Sequence, residues 1–309
     1  MLTDINFEKE KNLDFGSNVH QIAQLYKAQN PVNYEILSDA KLQFNDILDL
    51  KTGLDITSEF YDVKAVTIVK FGMPCAVALG SDLSDAYQKA FDCDPISALG
   101  GTIVLSATVD ENIAILVRKM NFNCVAAPDF NDKAKEILKN TTALKVVKIN
   151  TPLEKYRKLE NYEINVTPFG VLVQSQDKKE LDPGSFKIAS KIKPTEQQIE
   201  DAVFAWKIVK HAKSQAVVVA RDFKTIAISQ GNTNRICAFE NAVDFSCNES
   251  KDAVLATDGQ ILAVESINAA IQGRVGVIIQ TGESPKPVVD AVNKYNLVMI
   301  NTGISHNKY

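Results

Sequence analysis

Short apolar runs rich in β-branched residues recur along the chain, at 65–70, 102–106, 144–149, 171–174, 215–220, 225–229, 275–280 and 297–300. They are continuous rather than alternating, which predicts strands buried on both faces. Helical patterns lie between them. Segments 82–91 and 110–120 place apolar residues at helical spacing, and 288–295 follows the opening Ser284-Pro285-Lys286-Pro287. The clearest helix is 195–212. Pro194 precedes it, Thr195 and Gln198 fit a capping box, and Ile199, Val203, Trp206 and Val209 share one face. This strand–helix alternation predicts an α/β fold with mainly parallel sheets.

A length of 309 residues exceeds what a single core comfortably fills, so two lobes are expected. The polar, basic run 178–193, with Pro183-Gly184 inside it, marks the break, giving lobes 1–185 and 186–309. Net charge is −4, and no basic block is interleaved with aromatic residues, so a nucleic-acid surface is not expected. The N-terminal stretch is acidic and lacks the apolar core of a signal peptide. No stretch approaches the roughly 20 apolar residues that span a membrane. These features predict a cytoplasmic protein. The five cysteines form no C-x-x-C pair and the three histidines lie far apart, which predicts reduced thiols and no metal site.

Candidate chemistry concentrates in 65–101, AVTIVKFGMPCAVALGSDLSDAYQKAFDCDPISALGG. A strand leads into a turn at Gly72-Met73-Pro74-Cys75, and a helix into a second turn, 94–101, closed by Gly100-Gly101. The segment resembles the formyl-transfer site of the aminoimidazole carboxamide ribonucleotide (AICAR) formyltransferase family. There the two turns read Val-Lys-His-x-Asn-Pro-Cys-Gly and Asp-Pro-x-Ser-Ala-Phe-Gly-Gly. The likeness extends to 12–26 (NLDFGSNVHQIAQLY), to 194–235 with its Trp206-Lys207 helix and the turn ending at Arg235, and to the closing NTGISHNKY. The family's cyclohydrolase domain has no counterpart, the chain beginning where that domain would have ended. The resemblance implies two cytidine-deaminase-like lobes, here without the deaminases' zinc ligands. It further implies a homodimer that transfers a formyl group from 10-formyltetrahydrofolate to the ribonucleotide.

Carried over residue by residue, the resemblance makes Lys70 the charged group at the developing oxyanion. Phe71 stands where the family has the proton-accepting His. The remaining substrate positions fall on Gly100, Asn123, Gln215 and Arg235, with Asn123 in place of an acid and Gln215 in place of a shorter amide. Folate positions fall on Ile236, Glu265 and Ser284. Asp14 and Ser305 replace two arginines, Leu99 replaces a Phe, and 257–263 lacks the family's aromatic wall. A site so altered leaves three readings open: an impaired formyltransferase, a catalytically silent paralogue that binds a ligand or partner, or a scaffold serving another small ligand. His20 and His211 suit structural roles, and His306 reads as a surface tail residue.

Overall fold

The computed structural model describes residues 7–309; the first six, part of the stretch read as lacking a signal core, lie outside the described residues. The chain runs β1 (Lys9–Leu13), β2 (Ala23–Tyr26), β3 (Tyr34–Ile36), α1 (Phe44–Ser58), β4 (Lys64–Lys70), β5 (Met73–Gly80), α2 (Leu83–Cys93), α3 (Pro95–Ala98), β6 (Thr102–Leu105), α4 (Glu111–Lys119), β7 (Cys124–Ala127), α5 (Asp132–Lys139), β8 (Lys145–Ile149), α6 (Leu153–Arg157), β9 (Tyr162–Thr167) and β10 (Gly170–Ser175). It continues through β11 (Lys187–Ile188), α7 (Glu196–Val209), β12 (Val217–Arg221), β13 (Lys224–Ser229), α8 (Arg235–Phe245), β14 (Val254–Thr257), α9 (Val264–Gln272), β15 (Val277–Gln280), α10 (Lys286–Lys294) and β16 (Val298–Asn301).

Twelve strands form one sheet in the order β11-β16-β15-β14-β12-β13-β5-β4-β6-β7-β8-β3. Each half has a parallel block, β6-β7-β8 and β14-β15-β16, flanked by antiparallel strands. The halves meet where β13 pairs with β5, Lys224 opposite Ala78, so a single mixed sheet crosses both. Helices cover both faces. Against the first half pack α2, α4 and α5, around Tyr87, Ile113 and Phe130. Against the second pack α8, α9 and α10, around Phe239, Ile267 and Val288. Across the seam α1 and α7 share a core in which the Phe60 and Phe204 rings lie 5.4 Å apart.

Local chemistry explains the helix starts. The carboxylates of Asp82 and Asp110 accept the backbone N–H groups of Asp85 and Ile113, and Asn131 and Asn234 cap α5 and α8 in the same way. The Thr195–Gln198 capping box is formed in both directions. Three sequence expectations need correction. Met73–Cys75 open β5, and the turn is Phe71–Gly72, both at positive φ (55° and 71°). Segment 171–174 is not buried: β10 pairs only with β9 in a hairpin outside the main sheet, and neither face is fully covered. The 178–193 connection is largely exposed, but Lys187–Ile188 joins the sheet as an edge strand on β16. Among the described residues no helix is long and apolar enough to cross a membrane.

Candidate functional site

Strand direction gathers the candidate residues at one end of the sheet. Lys70 of β4 pairs with Met73 of β5, and Val69 with Thr102 of β6, so β4 ends where β5 and β6 begin. The parallel β7 and β8 begin at the same end. In the second half, Val217 of β12 pairs with both Ser229 and Thr257, which places the ends of β13 and β14 there, followed by those of β15 and β16. Lys70, Phe71, Gly100, Asn123, Gln215, Arg235 and Ser284 all sit on this rim or in its loops. The Gln230 side-chain amide donates to the Pro74 carbonyl at 2.9 Å, tying the rim turns of the two halves together.

In the first half Lys70 Nζ donates to the Leu99 carbonyl at 2.8 Å and lies 5.9 Å from the centroid of the Phe71 ring. That ring is 75% exposed. The turn is held from below by Asp49 on α1, whose carboxylate accepts the Gly72 N–H at 2.6 Å and the Thr102 hydroxyl at 3.3 Å. Burial raises the Asp49 carboxyl above its ordinary range against the pull of those bonds. Gly100 has φ 71° with open space where a Cβ would stand, so backbone conformation is what calls for glycine there. Asn123 is spent at both ends. Its amide donates to buried Asp46 at 2.6 Å and its oxygen accepts from Lys145 at 2.7 Å. Burial and the Asp94 charge push the Cys75 thiol up to about 12, which leaves it protonated rather than nucleophilic.

In the second half Arg235 opens α8 and is no ordinary surface arginine. Its guanidinium pairs with fully buried Asp258 at 2.8 Å and also bonds the Thr257 hydroxyl. Ser214 completes this group, donating to Asp258 at 2.6 Å. The neighbouring Gln215 side-chain oxygen is buried and has no hydrogen-bond partner. Ser284 is engaged inward, donating to the Ile261 carbonyl and accepting from Gln280, each at 2.8 Å. Ile236 is half-buried in the first turn of α8, and Glu265 is exposed in the first turn of α9. Leu262 and Leu99 present exposed apolar surface.

Other expected positions lie as follows. Asp14 is exposed and exchanges two hydrogen bonds with Gln43 at the start of α1. Ser305 and His20 are exposed. His306, read as a surface tail residue, is instead buried, its ring 2.5 Å from the Asp177 carboxylate and tilted against Trp206 with centroids 5.4 Å apart. His211 is structural, facing Glu59 at 3.3 Å. Asp46, Asp49 and Lys145 are not among the sequence candidates: both acids lie in α1, which carries no clear apolar face, and Lys145 opens the apolar strand β8. No group of three or more potential metal ligands occurs among the described residues.

The family described as "AICARFT/IMPCHase bienzyme" matches residues 2–244. The bifunctional purine biosynthesis protein PurH of Caldicellulosiruptor saccharolyticus is 37% identical over 314 residues, covering 99% of this chain. The proteins of the same name from a Thermoanaerobacter species and from Bacillus cereus are 36% and 32% identical, over 98% and 99% of the chain. In each case the chain spans 60% of the relative's length. A solved structure described as "Structural genomics, protein ybgI, unknown function" overlaps 66% of the chain at 9% identity and a TM-score of 0.17, which shows nothing about fold or role. With a match over most of its length and relatives well above 30% identity, the chain belongs to the AICARFT/IMPCHase family.

Proposed function

We propose that this chain is an attenuated AICAR formyltransferase whose site is the rim of the sheet. The observation that carries the reading is Phe71 beside Lys70. The turn is kept, the cation is kept, and the proton acceptor is absent. In formyl transfer the ribonucleotide amine attacks the formyl carbon, charge develops on the formyl oxygen and the amine loses a proton; the bond from that carbon to the folate N10 then breaks, and N10 takes up a proton as tetrahydrofolate leaves. Lys70 supplies positive charge for the oxygen. Phe71 accepts nothing, so the proton passes to water, and the acid–base contribution of about 10²–10⁴-fold is forfeited.

10-Formyltetrahydrofolate supplies the formyl carbon. Ile236, Leu262 and Leu99 offer its ring an apolar surface and Glu265 an exposed acceptor, while no aromatic residue in 257–263 stacks on it. The two-lobe division, 1–185 and 186–309, is part of the same proposal. A second reading, a binding protein without turnover, draws support from Asn123, bonded to Asp46 and Lys145, and from Arg235, whose Nη1 pairs with buried Asp258. A single-turnover assay at saturating ribonucleotide and 10-formyltetrahydrofolate, set beside calorimetric titration with the folate, separates the two. Measurable transfer supports the enzyme. Folate binding with no transfer contradicts it and supports the binding protein.

A further inference from the structure

We infer that a cavity between α1, the β1–β2 hairpin and the loop after α6 binds a small anionic amphiphile, a monocarboxylate on an unbranched apolar chain. The cavity measures about 340 Å³ and is walled by Leu50, Leu54, Ile149, Leu159 and, from the hairpin, Leu25. Small-molecule sites run from about 300 to 1,000 Å³ and are mostly apolar, with a few polar groups that fix orientation. The walls follow from the fold. Leu50 and Leu54 lie one turn apart on α1 and share a core with Ile149 of β8. None of Lys70, Phe71, Gly100, Asn123, Gln215 and Arg235 lines the cavity, so it is separate from the rim.

One end of the cavity is charged. Asp55, Gln176 and Lys178 line both it and a polar basin of about 730 Å³ beyond, where Lys308 stands. The two acids at this mouth are already engaged. Asp55 accepts from Lys51 Nζ and from the Tyr156 hydroxyl, each at 2.8 Å. Glu59 faces Arg157, Lys210 and His211 at 3.0–3.3 Å. Two lysines are left over. Lys178 Nζ donates to the Arg157 carbonyl at 3.0 Å, while Lys308 Nζ has no hydrogen-bond partner, and neither forms an ion pair among the described residues. Burial holds both ammonium groups below the ordinary lysine range, Lys210 adding to the effect at Lys178 and Lys51 at Lys308. Both also feel the Asp55 charge, which puts them at one mouth.

An anionic head at that mouth gives both lysines the counter-charge they lack, while its chain covers the leucine walls. The acids decide the charge of the head. Asp55 and Glu59 stand behind the lysines, and Glu160 and Glu163 line the basin, so a dianion such as a phosphate ester meets more repulsion than a carboxylate does. A neutral head leaves the lysines unpaired, and a cationic one is repelled by them.

The test is calorimetric titration of the unmodified chain with decanoate, octanoate, 1-decanol and decyl phosphate. One decanoate per chain is expected, bound about tenfold or more tighter than decanol or decyl phosphate. Octanoate should bind about 15-fold more weakly than decanoate, at about fourfold per methylene. Lys178→Gln/Lys308→Gln should weaken decanoate about tenfold or more and leave decanol unchanged, with unchanged circular dichroism. Leu159→Asn, in the apolar wall, should weaken both. Saturable decanoate binding that survives the lysine substitutions lies elsewhere and overturns the site. Decanol or decyl phosphate binding as tightly as decanoate overturns the carboxylate assignment, and no saturable binding of any of the four overturns the proposal entirely.

Discussion

The Lys70 ammonium stands 5.9 Å from the centroid of the Phe71 ring while donating to the Leu99 carbonyl at 2.8 Å. The cation is therefore positioned by the two turns that define the rim, with an aromatic face beside it where the family has an imidazole. Replacing it should expose how much of the residual chemistry is electrostatic. Lys70→Met is expected to lower single-turnover formyl transfer by a further 10²–10³-fold or so, the usual cost of one oxyanion donor. Phe71→His should recover less than about tenfold. An added base should not restore the hold on the nucleotide expected to be weakened by Asp14, Asn123, Gln215 and Ser305, and lost positioning forfeits the proximity advantage. Rapid-quench assays of both variants check this.

Nucleotide affinity should be weak for a separate reason. On the proposed matching, Asp14 and Ser305 stand where the family carries two arginines, and each lost charged hydrogen bond costs about 1.5–3 kcal/mol. Two such losses correspond to roughly two to four orders of magnitude in affinity, which places the ribonucleotide at millimolar binding or weaker. Asp14→Arg with Ser305→Arg should tighten calorimetric binding by about two orders of magnitude or more while leaving the single-turnover rate at saturation low, because Phe71 still accepts no proton. Both positions are exposed, so the substitutions leave the core untouched.

Arg235 and Asp258 are predicted to matter more for stability than for binding. Asp258 is fully buried and the Arg235 side chain is only 14% exposed. Removing either partner strands the other, at a typical cost of 3–5 kcal/mol. Urea unfolding of Asp258→Asn and Arg235→Met should each show losses of about 3 kcal/mol, with the double Arg235→Met/Asp258→Leu costing less than their sum.

Acid should loosen the seam between the halves through Glu59. Burial alone would raise its carboxyl, but His211, at 3.3 Å, and the Lys210 ammonium, at 3.0 Å, hold it well below the usual carboxylate range. Because the folded value lies below the unfolded 4.5, this contribution is present above pH 4.5 and is lost as pH falls toward the folded value. Thermal unfolding from pH 7 downward should show a falling Tm below pH 4.5. Glu59→Gln should be less stable at pH 7 and lose less on acidification.

Much of this was legible in the chain itself. The capping box at Thr195 and continuous apolar strands such as 65–70 and 102–105 follow from local chemistry and stand as expected, while the first rim turn falls two residues earlier, at Phe71–Gly72. What sequence alone did not disclose was cooperation across distance. The α1 acids are unremarkable in sequence until the fold sets Asp49 under Gly72 and Asp46 against Asn123. Arg235 matched a motif, but the buried acid that neutralises it lies 23 residues on, in a stretch compared only for its missing aromatic rings. The hairpin at 171–174 misled because an apolar β-branched run looks alike whether its own chain covers it or leaves it bare.

The most direct test of the central claim is single-turnover transfer from 10-formyltetrahydrofolate to AICAR by the unmodified chain, with both substrates saturating. Set beside an intact relative that carries Lys-His in this turn, the rate should be lower by about 10²-fold or more, in line with the loss of a general base. It should fall further in Lys70→Met. A rate within a few-fold of the intact relative's would contradict the account, because Phe71 would then stand in a site whose proton acceptor lies elsewhere.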